Sequence, residues 1–187
     1  MKTYIEVSAR HIHLTKEHFK TLFQKEEISK RNNLAGDRET YASNETVEIV
    51  GPGGSIHNVR ALGPFRDNSQ VEISKTDALS LDIDAPLELS EMGKGAQIRV
   101  VGPAGEFTDN IAIVAKRHLH ISPEKAKAYK LKHEQLIKVK ISGERGLIFD
   151  NVVVRISPNF VNHVHLDTDE GNSAGISKSA YAEIVTS

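Results

Sequence analysis

One short unit, written three times, limits what this chain can fold into more than any other feature. Val47 to Val50 is followed by Gly51-Pro52-Gly53-Gly54 and then by Ile56 to Ala61, which reads as strand, tight turn, strand. The unit recurs as Ile98 to Val101, Gly102-Pro103-Ala104-Gly105 and Phe107 to Val114. With a slightly offset turn it appears again as Val139 to Ser142, Gly143-Glu144-Arg145-Gly146 and Leu147 to Ile156. Each copy places asparagine before an aliphatic residue in its second strand: Asn58-Val59, Asn110-Ile111 and Asn151-Val152. Repeated short strands joined by glycine turns are antiparallel material and favour small barrels over a parallel sheet. At 187 residues, the chain can form one large domain or two small ones of roughly 90 residues each. The segment Glu91-Met92-Gly93-Lys94-Gly95 is the expected boundary, giving halves 1–92 and 93–187 between which terminal strands can be exchanged.

Helix starts repeat as well. Thr15, Ser74, Ser122 and Ser177 each look like an N-cap ahead of a helical turn, and the last of these helices is expected to bury Tyr181 and Ile184. Proline at the first helical position and an acid in the first turn strengthen the Ser122 start. The polar stretch from Arg31 to Asn44 reads as a loop.

Two residues before the cap, the chemistry begins. Thr15 is preceded at that offset by His13 and Ser122 by His120, while Ser74 has Glu72 and Ser177 has Gly175. His11-Ile12-His13 and His118-Leu119-His120 are both preceded by arginine, and His163-Val164-His165 is a third pair, so six of the nine histidines stand at i, i+2. On a strand, that spacing puts both imidazoles on one face, where they can bind one metal ion. Glu72 and one histidine of the His163/His165 pair are the expected completing ligands. Counting from Gly51 and Gly102, Arg66 falls opposite Arg117, and a guanidinium beside a metal suits phosphate or a developing oxyanion. Arg10, Arg66 and Arg117 can equally be structural ion-pair partners. His18, His57 and His133 lack such company and read as surface histidines. The acid run Asp167 to Glu170 reads either as support for the metal-binding histidines or as a solvated loop.

Composition narrows the classes. A formal net charge of -1 removes any bulk electrostatic case for nucleic acid or an acidic membrane. Without cysteine there are neither disulfides nor thiolate sites, so a metal must be held by histidine and carboxylate. No stretch approaches the roughly 18 apolar residues of a membrane span. No P-loop, Gly-x-Ser-x-Gly elbow or His-Glu-x-x-His motif is present.

Taken together, these motifs resemble one family. Ser8-Ala9-Arg10-His11-Ile12-His13-Leu14, Asn58-Val59-Arg60-Ala61-Leu62-Gly63-Pro64, Gln70-Val71-Glu72-Ile73-Ser74, Arg117-His118-Leu119-His120 and His165-Leu166-Asp167-Thr168-Asp169-Glu170 are similar to those of the PduL-type phosphotransacylases. Glu45-Thr46-Val47 and Gly143-Glu144-Arg145-Gly146-Leu147 extend the likeness over almost the whole chain. The resemblance implies a mainly β fold with short α-helices, as two pseudo-symmetric small antiparallel β-barrels capped by helices. It implies a phosphate propanoyltransferase that exchanges a short acyl group between coenzyme A and inorganic phosphate.

Two zinc ions are implied, one on His11, His13 and Glu72 and the other on His118, His120 and His165, with Arg66 as the catalytic, phosphate-contacting arginine. A homodimer is implied too. The strand starting almost at Met1, where microcompartment members carry an extension, favours a cytoplasmic form. The chain departs from the family at His163, an extra imidazole able to compete as ligand, and in Gly171-Asn172-Ser173-Ala174. The rival readings are a dinuclear zinc hydrolase acting on a thioester and a zinc-stabilised binding module.

Overall fold

The computed structural model describes residues 1–90, 94–177 and 179–185. In chain order the elements begin with β1 (Lys2–Val7), β2 (His11–His13), α1 (Lys16–Phe23), β3 (Lys30–Asn33), β4 (Tyr41–Gly51) and β5 (Gly54–Gly63). Then come β6 (Gln70–Ile73), α2 (Lys75–Ser80), β7 (Leu87–Glu88), β8 (Ala96–Val101) and β9 (Glu106–Ala115). The last are β10 (His118–Ile121), α3 (Pro123–Tyr129), β11 (Leu136–Ile141), β12 (Leu147–Ile156), β13 (His163–Leu166), α4 (Thr168–Ser173) and β14 (Ser179–Val185).

Four copies of one pattern account for most of this. A short strand runs into an N-cap and a short helix, and a hairpin then brings its second strand back parallel to the first. Thus β2 pairs in parallel with β5, β6 with β9, and β10 with β12. In the fourth copy the short strand is β13, and its parallel neighbour is β1, from the other end of the chain. A parallel return needs a crossover, which each short helix supplies. The barrels are therefore mixed, with parallel pairs set among the antiparallel hairpins.

The copies fall into two compact units. The N-unit comprises Ala9–Leu34 and Glu39–Ala115, and the C-unit comprises Met1–Ser8, Ala35–Arg38 and Lys116–Ser187. In the N-unit, six strands close a ring in the order β4, β5, β2, β6, β9, β8 and back to β4. In the C-unit the ring is β1, β13, β10, β12, β11, β14 and back to β1. Closure satisfies every strand edge within the ring.

Each barrel has its own core. Ile12, Leu14, Ile49, Val71 and Ile98 fill the first together with Phe19 and Leu22 of α1. Ile5, Leu119, Ile121, Val154, Val164 and Ile184 fill the second. Helices of six to eight residues are too short to persist alone, so they hold by capping and packing. Thr15 accepts a hydrogen bond from His18 N–H, and Ser74 and Asp77 form a reciprocal capping box.

The repeated asparagines mark bulges. Asn58 and Asn151 adopt left-handed φ values of 59° and 54°, each where the hairpin register shifts.

The structure corrects four expectations. The units do not part at 92/93, of which residues 91–93 lie outside the described set. Strands β8 and β9 hydrogen-bond to β4 and β6, so the N-unit runs to Ala115; β1 joins the C-unit, in keeping with the expected exchange of terminal strands. The helix expected after Ser177 is strand β14, with Lys178 outside the described residues. Its alternation buries Ala182 and Ile184 and leaves Tyr181 exposed, as pairing to β1 and β11 requires. The fourth helix instead follows Asp167, whose side chain forms a capping box with Glu170. Of the two readings of the acid run, the solvated loop gives way to a helix start. Finally, the stretch from Arg31 to Asn44 contributes β3 and the start of β4.

Candidate metal and phosphate site

With α4 in place, the slot two residues before each helix cap reads His13, Glu72, His120 and His165. Sequence alignment had paired the fourth slot with Gly175, because Asp167 did not stand out as a cap. Register then builds two equivalent clusters. On the antiparallel β2–β6 pair, His11 lies across from Glu72, and on β10–β13, His118 lies across from His165.

Two three-residue groups result, each with ligand atoms within 4.8 Å of one another. One is His11, His13 and Glu72, and the other is His118, His120 and His165. In the first, Glu72 Oε2 is 3.5 Å from His11 Nε2, and Glu72 Oε1 is 3.9 Å from His13 Nε2. In the second, the His120 ring centroid lies 4.7 Å from that of His118 and 4.5 Å from that of His165. His163 is outside both groups and packs against the Tyr4 ring at 5.3 Å.

The donor chemistry fits a metal ion. His11 Nδ1 lies 2.9 Å from Ala9 O, and His118 Nδ1 lies 2.8 Å from Lys116 O. A carbonyl can only accept, so Nδ1 carries the proton in both rings and Nε2 carries the lone pair. His13, Glu72, His118 and His120 are all buried. Among the described residues, His13 Nδ1 and both nitrogens of His120 are buried without a hydrogen bond, a costly state for an imidazole unless another ligand satisfies it. Burial, with Arg66 and His11 nearby, holds the His13 pKa well below the usual imidazole range. Burial again, then His165 and His118, lowers that of His120. Both rings are therefore neutral donors near pH 7.

Arg66 reaches the first cluster through a side chain that the sequence did not flag. Its Nη1 donates to Ser90 Oγ at 2.9 Å, and Ser90 Oγ donates to Glu72 Oε1 at 2.5 Å. Ser90 is buried and follows no motif, so only the fold could reveal it. The other two arginines take matching structural posts. Arg10 Nε donates to Asp77 Oδ2 at 2.9 Å, and Arg117 Nε lies 3.3 Å from Glu170 Oε1. Asp77 and Glu170 both close their helix's capping box, so each arginine ties a histidine strand to a helix N-terminus.

His18, expected on the surface, is half-buried. Its ring stacks on Phe107 with centroids 3.9 Å apart, and its Nδ1 is 2.8 Å from Ser69 Oγ. It lines a cavity of about 710 Å³ with Phe65, Arg66, Ser69, Gln70 and Lys94. His57 and His133 are exposed, as expected. No helix among the described residues is long and apolar enough to cross a membrane.

The chain matches known proteins over nearly its whole length. Residues 4–177 match the family model described as phosphate propanoyltransferase. The phosphate propanoyltransferase of Salmonella typhimurium is 45% identical over 183 residues, covering 96% of this chain and 87% of that protein. The corresponding protein of Levilactobacillus brevis is 42% identical over 183 residues, covering 97% and 88%. That of Lachnoclostridium phytofermentans is 45% identical over 176 residues, covering 92% and 82%. With the match spanning both units and both histidine clusters, the chain belongs to the phosphate propanoyltransferase family of phosphotransacylase enzymes.

Proposed function

We propose that this protein reversibly transfers a short acyl group, propanoyl or acetyl, from coenzyme A to inorganic phosphate, using two zinc ions. The observation that carries the reading is the pair of equivalent three-residue groups, one of them hydrogen-bonded through Ser90 to Arg66. His11, His13 and Glu72 would hold one ion, and His118, His120 and His165 the other. Bound zinc supplies Lewis-acid polarisation of the thioester carbonyl and stabilisation of the departing thiolate.

The chain's own residues do the rest. Three-ligand sets leave a coordination position for substrate, whereas a structural zinc is closed by four. That favours an enzyme over a zinc-stabilised binding module. The guanidinium of Arg66 presents donors in a planar fork suited to phosphate oxygens. Held by Ser90, it orients phosphate so that one oxygen attacks the thioester carbon. A C–O bond forms and the C–S bond breaks, coenzyme A leaving as the thiolate, which takes a proton from solvent. Arg66 also offsets the negative charge gathering on the carbonyl oxygen. No side-chain nucleophile is needed, so phosphate and acyl-CoA meet in one ternary complex.

The test is thiol release from propanoyl-CoA by the zinc-loaded protein, with metal content measured alongside. Release that requires phosphate supports the reading. Release at the same rate without phosphate identifies a dinuclear zinc hydrolase instead. Varying both substrates should give intersecting lines, and parallel lines would exclude direct transfer. The assembly expected is a homodimer, which light scattering reads directly.

A further inference from the structure

Glu6 has no task in the transfer as described, yet its carboxylate is aimed at a candidate metal ligand. It stands on β1 directly across the parallel ladder from His165 of β13. The corresponding neighbours of the other three slot residues are Leu62 for His13, Ile113 for Glu72 and Arg155 for His120. Of these four parallel partners, only Glu6 is a carboxylate. Glu6 Oε2 lies 4.0 Å from His165 Nδ1, and among the described residues this oxygen is buried without a hydrogen bond. The backbone N–H groups of Gly36 and Ala35 approach the same carboxyl group.

Gly36 closes the arrangement. A Cβ there would fall 2.5 Å from His165 Cε1 and Nε2 and 3.0 Å from Glu6 Oε2, so no other residue lets the two side chains sit as they do. Charge points the same way. The His11/His13/Glu72 group contains one anionic ligand, while the His118/His120/His165 group contains none. His11 and His118 are each oriented by the backbone carbonyl two residues before it.

We propose that Glu6 is a positioning residue for the second metal site, acting through His165 Nδ1. Its negative charge, 4.0 Å from Nδ1, favours the tautomer with the proton on Nδ1 and the lone pair on Nε2. It also supplies the negative charge that three neutral imidazoles lack. Carboxylate orientation of a metal-bound histidine is typically worth about 10- to 100-fold in metal affinity. The inference rests on the two-metal reading above.

The experiment is zinc competition with a chromogenic chelator, using proteins that keep one site each. His13→Ala retains the second site, and His120→Ala retains the first. Adding Glu6→Gln should weaken zinc about 10- to 100-fold in the His13→Ala protein and leave the His120→Ala protein unchanged. Glu6→Ala should repeat the result, and the metal-free thermal midpoint should not move with Glu6→Gln. Equal affinity with and without Glu6→Gln in the His13→Ala protein overturns the proposal. So does a loss of the same size in both backgrounds, or one matched by a fall in the metal-free midpoint. A wild-type protein that binds fewer than two zinc ions sinks the two-metal reading and this inference with it. Two ions that are indifferent to Glu6 sink only the inference.

Discussion

The two histidine clusters are built on one plan and completed differently. In both, a His-x-His strand faces a short antiparallel neighbour whose slot residue brings the third side chain of the candidate metal group. The N-unit fills that position with Glu72, and the C-unit with His165. Glu72 brings its charge into the ligand set and is tied through Ser90 to Arg66. In the C-unit a carboxylate beside His165, Glu6, stands one strand away, and Arg117 is turned to a helix cap. Duplication thus preserved the scaffold for ligands and left the charged groups around it free to specialise. The arginines opposite each other in sequence are the clearest product of that divergence.

The largest effect should separate those two arginines. Arg66→Ala should cut phosphate-dependent thiol release by about 10²- to 10³-fold with zinc content intact, as loss of an oxyanion-stabilising donor does. Arg117→Ala should keep most of the rate and instead destabilise the fold by about 1–3 kcal/mol, because it strips a half-buried carboxylate of its partner. Equal losses of rate would erase the distinction.

A smaller effect probes the crowding at Gly36 in the C-unit. Gly36→Ala should cost about 1–3 kcal/mol in urea denaturation, since the added methyl meets the His165 ring. Wild-type stability in that variant would show the ring has room to move.

The smallest effect concerns pH. Burial, then the neighbouring Asp167 charge, push the Glu170 pKa up to about 7 against the pull of Arg117. Between its ordinary 4.5 and about 7, the folded protein keeps a proton that the unfolded chain has released. Stability from this group is therefore full below the lower value and is lost as pH rises through the upper one. With the side chain still 20% exposed, the expected loss is on the order of 1 kcal/mol. Glu170→Gln should flatten that slope in denaturation curves between pH 5 and 8, and an unchanged slope would assign it elsewhere.

Much of this was legible because it is local. Glycine turns between alternating strands located all three hairpins, and hydroxyl caps located three of the four helices. Those caps, with the residues two before them, led to His13, Glu72 and His120 without any tertiary information. The fourth copy was hidden for two physical reasons. Its cap is an aspartate inside an acidic run, which carries no helix signal stronger than that of a polar loop. Its closing strands come from opposite ends of the chain, so no window of sequence contains both. Ser177-Lys178-Ser179 then offered cap-like chemistry in the wrong place. Ser90 and Glu6 escaped for a related reason, since each acts on a residue far from it in sequence.

The pairing of β14 with β1 also bears on how the gene could be rearranged. In the other three copies this hairpin is continuous, and only here is it cut, with Met1 N 3.3 Å from Ile184 O and Ile184 N 2.7 Å from Met1 O. Met1 and Ile184 therefore lie where a glycine turn stands in the sister copies. A short linker across them would restore an unbroken fourth repeat, and new ends could be opened at the turn between β8 and β9 or between β11 and β12. Biosynthesis meets the same cut from the other side. During synthesis β1 finds its neighbours only after residues 163–185 have followed it, so the C-unit ring can close only after the N-unit ring.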